Sequence, residues 1–478
     1  MKPTTHRLSN GKKWGYSVGI FADTMGYSIF YSYFFTFLTA VVGVNAAVAG
    51  MISSIGILWD GITDPLVGYY ADGKPHRRRK MILFASIPYA LSVVLTFVAV
   101  DFGSTGNAVY YTLCALAFWL FYTMVCVPFY SAVPELTPDY DERTAVRSFS
   151  AWINSFANLI TLACPMLLVS FFGTWTKSET AGWTLTATLF GVIIILAATI
   201  CSLTLKKAER ESGNIAAAPA REKTSAAVAM KNLLKTFFSV LRIKSVLILF
   251  VAIVICNIYR GLTSTGFTTY MIYGLGWGET QISLCYAILI GSWLVYFPVV
   301  NAACKRWDRK ACLIGGALIS FIGRTAIGFT PLAYTVVGCY INVFFSNFLQ
   351  CSYLALIFAL PYDLAELYEF KHNGERADST IQSVPLMAQK IGSAIGALVW
   401  GLATEAVGFV GTAAQQSESA IRGVVTIFSG WINFALLIYV AILLAYKVNR
   451  KRVQLMQEAN QARREGRPFS SEGFADLI

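Results

Sequence analysis

The chain has 478 residues, 56% of them hydrophobic and 13% charged, and a formal net charge of +12. Soluble domains carry about 25% charged residues, and a mean hydropathy of +0.57 excludes an ordinary soluble enzyme and a disordered chain. At about 20 apolar residues per crossing, this length holds roughly a dozen membrane spans, so the positive charge bears first on topology and gives no reason to expect nucleic acid as a partner.

Lys2, Arg7, Lys12 and Lys13 precede an apolar segment from Trp14 to Val42. That segment is far longer than a signal-peptide core and reads as a retained first span. Further apolar segments run over 46–71, 81–100, 108–134, 145–173, 182–205, 245–274, 281–304, 311–330, 333–361, 379–404 and 424–446. The expected fold is therefore all-α, an integral membrane protein of twelve spans with both termini on one side. Of the 38 Lys and Arg, 32 fall in the termini or in the loops near 72–80, 135–143, 206–244, 305–310 and 361–378, and only Lys177 and Arg422 fall on the opposite side. The positive-inside rule then places the termini and the central loop in the cytoplasm of a cell-membrane protein.

The spans divide into a six-helix half over 1–205, a linker over 206–244, a second six-helix half over 245–446 and a cytoplasmic tail over 447–478. Within the linker, Met230, Leu233, Leu234, Phe237, Phe238 and Leu241 recur at helical spacing, with Lys231, Lys235 and Arg242 on other faces. This suits either a helix lying on the inner membrane surface or an extension of the seventh span. The loop Asp72-Gly-Lys-Pro-His-Arg77-Arg78-Arg79-Lys80 has a counterpart in Lys305-Arg306-Trp-Asp308-Arg309-Lys310, at the matching place in the second half. Paired halves of this kind belong to secondary transporters, whose substrate site lies near the bilayer midplane.

The ten cysteines all sit in or beside apolar stretches with no CxxC spacing, so neither disulfides nor a zinc site is expected. The histidines, His6, His76 and His372, lie in polar segments. There is no Walker A motif and no nucleophile–base pattern, so an enzyme, an ATP-driven pump and a bound cofactor are not expected.

Ionisable groups inside the hydrocarbon cost several kcal/mol and need a reason. The candidates are Asp23, Asp60, Asp64, Arg147, Arg260, Arg324 and Lys390. Asp60 and Asp64, four residues apart, share a helix face with their carboxylates roughly 6 Å from each other. Two anions so placed repel unless a cation or proton joins them, which makes the pair a site for a hard monovalent cation, Na+ or H+. Counted at ~1.5 Å per residue from the inner end, Asp23, Asp60, Thr123, Cys126 and Lys390 all lie about 14–20 Å deep, and Lys390 would counterbalance the aspartates. Arg147 stands at the inner end of its span, in reach of the interface. Arg260 lies higher, open to substrate or structural partners, and Arg324 is assigned to structure. Tyr27, Tyr31, Tyr122 and Tyr130 are aromatics near the charged layer that could stack on a sugar ring.

Four motifs carry a family resemblance. They are Trp59-Asp60-x-x-x-Asp64-Pro65, Val127-Pro128-Phe129-Tyr130-Ser131-Ala132-Val133-Pro134, Lys390-Ile-Gly392, and Asp363-x-x-Glu366-x-x-Glu369-x-Lys371 followed by Gly374-Glu-Arg376. Gly68-Tyr-Tyr-Ala-Asp72 adds the start of the loop motif of the major facilitator superfamily. The chain resembles, along most of its length, the glycoside–pentoside–hexuronide:cation symporters of that superfamily, the family of melibiose permease. The resemblance implies uptake of a sugar, glycoside or related sugar with a monovalent cation, and a monomer is expected. It assigns the cation to Asp60 and Asp64, with Thr63 and Thr123 as oxygen neighbours, and coupling to Lys390. It assigns sugar contacts to Asp23 and Arg147, with Tyr122 and Tyr130 in the pocket and Arg260 near. Asp72, Arg77, Arg78, Asp363, Glu366 and Arg376 would form inner-side gating salt bridges. Two positions depart from the family pattern: Ala22 stands where a lysine precedes the sugar-binding aspartate, and Cys126 replaces an aspartate that contacts sugar. Loss of that carboxylate beside a retained Arg147 opens the way to an acidic sugar. The alternatives are a lipid or lysolipid symporter and a non-transporting sensor on the same fold.

Overall fold

The computed structural model describes residues 8–72, 76–137, 140–211, 235, 237–357, 360–372, 378–413 and 415–477. The regular elements among them are all helical. In chain order the α-helices are α1 (Asn10–Ser17), α2 (Ile20–Thr36), α3 (Ala46–Asp72), α4 (Arg77–Thr96), α5 (Gly103–Ser131), α6 (Val133–Leu136), α7 (Tyr140–Thr176), α8 (Glu179–Glu211) and α9 (Lys244–Thr269). They continue as α10 (Glu279–Arg306), α11 (Arg309–Gly328), α12 (Val336–Leu356), α13 (Leu360–Lys371), α14 (Asp378–Ala406), α15 (Glu418–Ser429), α16 (Phe434–Ala445) and α17 (Arg450–Arg464).

Among the described residues, ten helical segments are long and apolar enough to cross a bilayer, and α12 with α13, bent by 40°, supply an eleventh. The remaining expected span, 14–42, is divided. The chain turns at Val18–Gly19 between α1 and α2, where a side chain on Gly19 would run into Phe129 and Cys201. At its far end the helix widens into a π-turn over Phe37–Val41. The Thr39 hydroxyl there donates to the carbonyls of Phe35 (3.0 Å) and Thr36 (3.3 Å), competing with the ordinary backbone ladder. The linker helix expected near 230–242 falls largely outside the described residues; 237–241 are helical.

The chain forms two compact units: Met1–Ala226 with Gly276–Ile290 and Thr404–Gln416, and Ala227–Leu275 with Gly291–Ala403 and Ser417–Ile478. The first unit thus takes in two stretches that the sequence assigns to the second half.

In the first unit, α2 lies against α7 and α8, and α5 packs on α3 and α4. A polar seam joins α1 and α2 to α7. Ser17 meets Ser150 (2.8 Å), Thr24 donates to Asn154 (2.6 Å), Ser28 donates to Asn158 (2.9 Å), and Tyr33 donates to the carbonyl of Leu162. The α7 partners recur every four residues, one face of a helix. Interhelical bonds of this kind are worth about 0.6–2 kcal/mol each in a bilayer, and they set the register between Asp23 and Arg147.

The same unit closes the start of α3. Glu405 accepts from the Ala47 amide (3.0 Å) and from Asn45 Nδ2 (2.9 Å), while Asn45 Oδ1 caps the amides of Ala47 and Val48. A carboxylate on a helix N-terminus satisfies otherwise orphaned N–H groups and complements the dipole. Glu405→Ala is expected to lower stability by about 0.5–2 kcal/mol, read as a fall in the thermal unfolding midpoint; an unchanged midpoint would show that the cap carries no net energy.

In the second unit, α9 and α14 cross at backbone contact. A side chain at Gly396 would collide with the Ile258 carbonyl and Gly261, and one at Gly261 would meet Ser393. Small residues at such a crossing let two membrane helices approach closely, and the crossing lies one turn from Lys390. The tail over 447–478 is folded onto α13. Buried Glu369 accepts from Nε and Nη2 of Arg464 (2.8 and 2.9 Å), Glu366 accepts from Asn460 (3.0 Å), and the Arg463 guanidinium lies 4.6 and 4.5 Å from the Phe370 and Phe469 rings.

Candidate functional site

Two carboxylates of the first unit are served by consecutive residues of α5. Tyr122 donates to Asp23 Oδ1 at 2.7 Å, and Thr123 donates to Asp60 Oδ1 at 2.6 Å. Adjacent residues on a helix point about 100° apart, so α5 stands as a post between α2 and α3 and touches one acid with each side chain. Asp23 also accepts from the Tyr130 hydroxyl at 2.5 Å, so two neutral hydroxyls hold it. Cys126, one turn beyond Tyr122, is buried. It sits near the carboxylate.

Asp60 is buried at 3% exposure, and Thr63 and Thr123 beside it are buried too. The Thr63 hydroxyl donates to the Asp60 carbonyl (3.2 Å) and lies 3.5 Å from that of Thr123. Asp64, one turn further along α3, is half-buried. A carboxylate, a second carboxylate one turn on and two hydroxyls form an all-oxygen set, the donor type that hard cations prefer. Among the described residues, no group of three or more His, Cys, Asp or Glu is placed to hold a metal ion.

Arg147 is exposed on α7. Its Nη2 donates to the Tyr130 carbonyl at 2.5 Å, with the guanidinium 5.6 Å from the Tyr130 ring. Tyr130 therefore links the two expected sugar contacts, its hydroxyl to Asp23 and its carbonyl to Arg147. Tyr27, Tyr31, Trp119 and Tyr122 pack on one another, with ring centroids 4.4 to 6.1 Å apart, and Tyr122 joins this cluster to Asp23. The seam residues Thr24, Asn154 and Asn158 were not singled out from sequence; the four-residue spacing of two asparagines in an apolar span was the available signal.

The second unit holds the other candidates. Lys390 is half-buried on α14. Arg260 donates to Gln350 (2.9 Å) and Asn257 (3.0 Å), and its guanidinium lies 4.5 Å from the Tyr353 ring. Arg324, 1% exposed, donates to Tyr259, to Asn342 (3.2 Å) and to the Phe428 carbonyl (2.9 Å), a pin between helices.

The expected gating residues have local partners. Asp363 pairs with Arg309 at 3.0 Å, Glu366 accepts from the tail, and Arg77 donates to the Tyr70 carbonyl at 2.7 Å. Arg78 is half-buried, while neighbouring Arg79 pairs with Glu209 at 3.1 Å. The Asp72 side chain and Arg376 lie outside the described residues.

Residues 15–450 match the family model described as MFS/sugar transport protein. The chain belongs to this family. Its relatives include a Salmonella typhimurium protein provisionally named a sulfoquinovose importer, 26% identical over 97% of this chain and 95% of its own. A second, from Escherichia coli, is provisionally named a glycoside/cation symporter and is 26% identical over 82% of each chain. A crystal structure of a D-xylose-proton symporter superposes with a TM-score of 0.62, at 13% identity, over 90% of this chain and 96% of that one. The fold is that of the major facilitator superfamily, and the family and fold are those of multi-pass membrane sugar transporters.

Proposed function

We propose that this family member couples sugar uptake to a monovalent cation, Na+ or H+, and that its sugar carries an anionic group. The observation that carries the coupling is the pair Tyr122 and Thr123. One post on α5 binds the sugar-side acid Asp23 and the cation-side acid Asp60, so filling either site acts on the same helix. A cation at Asp60 and Asp64 cancels their repulsion and fixes α3 against α5, which orients Tyr122 and Asp23 for the sugar hydroxyls. Lys390 serves coupling from the second half. Coupling of this kind is reciprocal: the factor by which the cation tightens sugar binding is the factor by which sugar tightens cation binding.

The anionic group follows from the charge inventory. Cys126 adds no negative charge beside Asp23, and exposed Arg147 offers a planar fork suited to a carboxylate or sulfonate. The relative provisionally named for sulfoquinovose supports that class. Both termini are assigned to the cytoplasm on the distribution of Lys and Arg.

Uptake into proteoliposomes tests the proposal. Sugars with a 6-carboxylate or 6-sulfonate are expected to accumulate under an inward Na+ or H+ gradient, and their neutral 6-hydroxyl counterparts to accumulate at least tenfold less. Equal uptake of charged and neutral sugars would remove the anionic class, and uptake indifferent to both gradients would remove the coupling.

A further inference from the structure

A groove of about 410 Å³ opens between α3, α4 and α5, lined by Tyr70, Arg77, Lys80, Phe84, Pro88 and Met124 among others. Its two ends differ. At one end stand Arg77 and exposed Lys80, and among the described residues no carboxylate pairs with either. The Arg77 guanidinium is held 4.2 Å from the Tyr70 ring and spends one bond on the Tyr70 carbonyl, which leaves most of its five donors for another acceptor.

The other end is apolar and runs on as a track. Phe84, Ile87, Leu91 and Leu95 are 67, 58, 56 and 40% exposed and recur at three- and four-residue steps along α4. They form one continuous stripe, leading away from the basic end for about three turns. A cationic head site, an aromatic shelf and an apolar stripe in line match a molecule with an anionic head and hydrocarbon tails. The basic end belongs to the loop that the positive-inside distribution places on the cytoplasmic face, where anionic lipids concentrate.

We propose that this groove binds an anionic phospholipid, with its phosphate on Arg77 and Lys80 and one acyl chain along Phe84, Ile87 and Leu91. Charge complementarity selects the head, and the stripe selects a lipid over a free phosphate, which would use only one end of the site. Each basic residue near a membrane surface contributes roughly a fivefold gain in affinity for anionic lipid, so the two together contribute about thirtyfold.

Native mass spectrometry of the full chain from detergent, titrated with dioleoylphosphatidylglycerol or dioleoylphosphatidylcholine, tests this. The expected result is preferential retention of one phosphatidylglycerol. Arg77→Gln with Lys80→Gln should weaken it about thirtyfold. Arg450→Gln with Lys451→Gln, an equal loss of charge in the tail, should bind as the unmodified chain does. Lys80→Gln alone, at an exposed position that does not endanger folding, should weaken it about fivefold. Millimolar inorganic phosphate should not displace the lipid. Equal retention of phosphatidylcholine, unchanged binding in Lys80→Gln, equal weakening by the tail variant, or displacement by inorganic phosphate would each overturn the proposal.

Discussion

Asp60→Asn is expected to abolish cation-driven sugar accumulation while leaving the protein folded. The amide keeps the size of the carboxylate, and its oxygen can still accept from Thr123, which donates to Asp60 at 2.6 Å. What disappears is a buried negative charge. Two unit charges 4 Å apart at an effective dielectric of 20 attract by about 4 kcal/mol, so cation affinity should fall on the order of a thousandfold. Sugar binding should lose its response to the cation and settle at the cation-free affinity, and thus fall by the coupling factor, about 5–150-fold in typical allosteric pairs. Thr123→Ala should do less, weakening the cation by about tenfold, because a neutral ligand is lost while both carboxylates remain. The readouts are the ratio of internal to external sugar under a gradient and sugar affinity with and without cation. Normal accumulation by Asp60→Asn would refute the role given to this acid.

The spans were legible because a bilayer imposes a length and a composition that few other environments demand. The carboxylates were legible for the opposite reason: in Leu58-Trp59-Asp60-Gly61-Ile62-Thr63-Asp64 they violate that composition. The turn at Val18–Gly19 was not legible: both residues keep right-handed helical backbone and the chain passes through i→i−3 bonds, and the neighbours that crowd Gly19, Phe129 and Cys201, lie over a hundred positions away. The roles of Tyr130 divide in the same way. Its ring and hydroxyl could be guessed from a family motif, but its carbonyl, the acceptor for Arg147, carries no residue identity at all. The docked tail depends on Glu369 meeting Arg464 at a separation of 95 residues, a pairing that local spacing does not encode. The linking fact of the site, that Tyr122 and Thr123 serve different acids, needed only their adjacency in sequence and the positions of α2 and α3 in space.

That adjacency makes a second large effect separable from the first. Asp23→Asn should weaken sugar binding by roughly 100-fold or more even at saturating cation, and the cation should still bind with its sugar-free affinity. Asp23 accepts from Tyr122 at 2.7 Å and from Tyr130 at 2.5 Å. An amide has one acceptor oxygen where the carboxylate has two, so one tyrosine hydroxyl is left facing an N–H donor. The loss of a charge-assisted bond to the sugar costs about 1.5–3 kcal/mol, and the displaced tyrosine adds to it, for a combined loss of roughly 100-fold or more in affinity. Tyr122→Phe should fall between, near tenfold, since it removes one donor and leaves the charge. Calorimetric titration of sugar at high cation and of cation without sugar gives both numbers on the same preparation. Asp60→Asn should lose the second and only weaken the first; Asp23→Asn should lose the first and keep the second. If both variants lost both ligands equally, α5 would be a structural support for one merged site, and the division of labour between its two neighbouring side chains would be wrong.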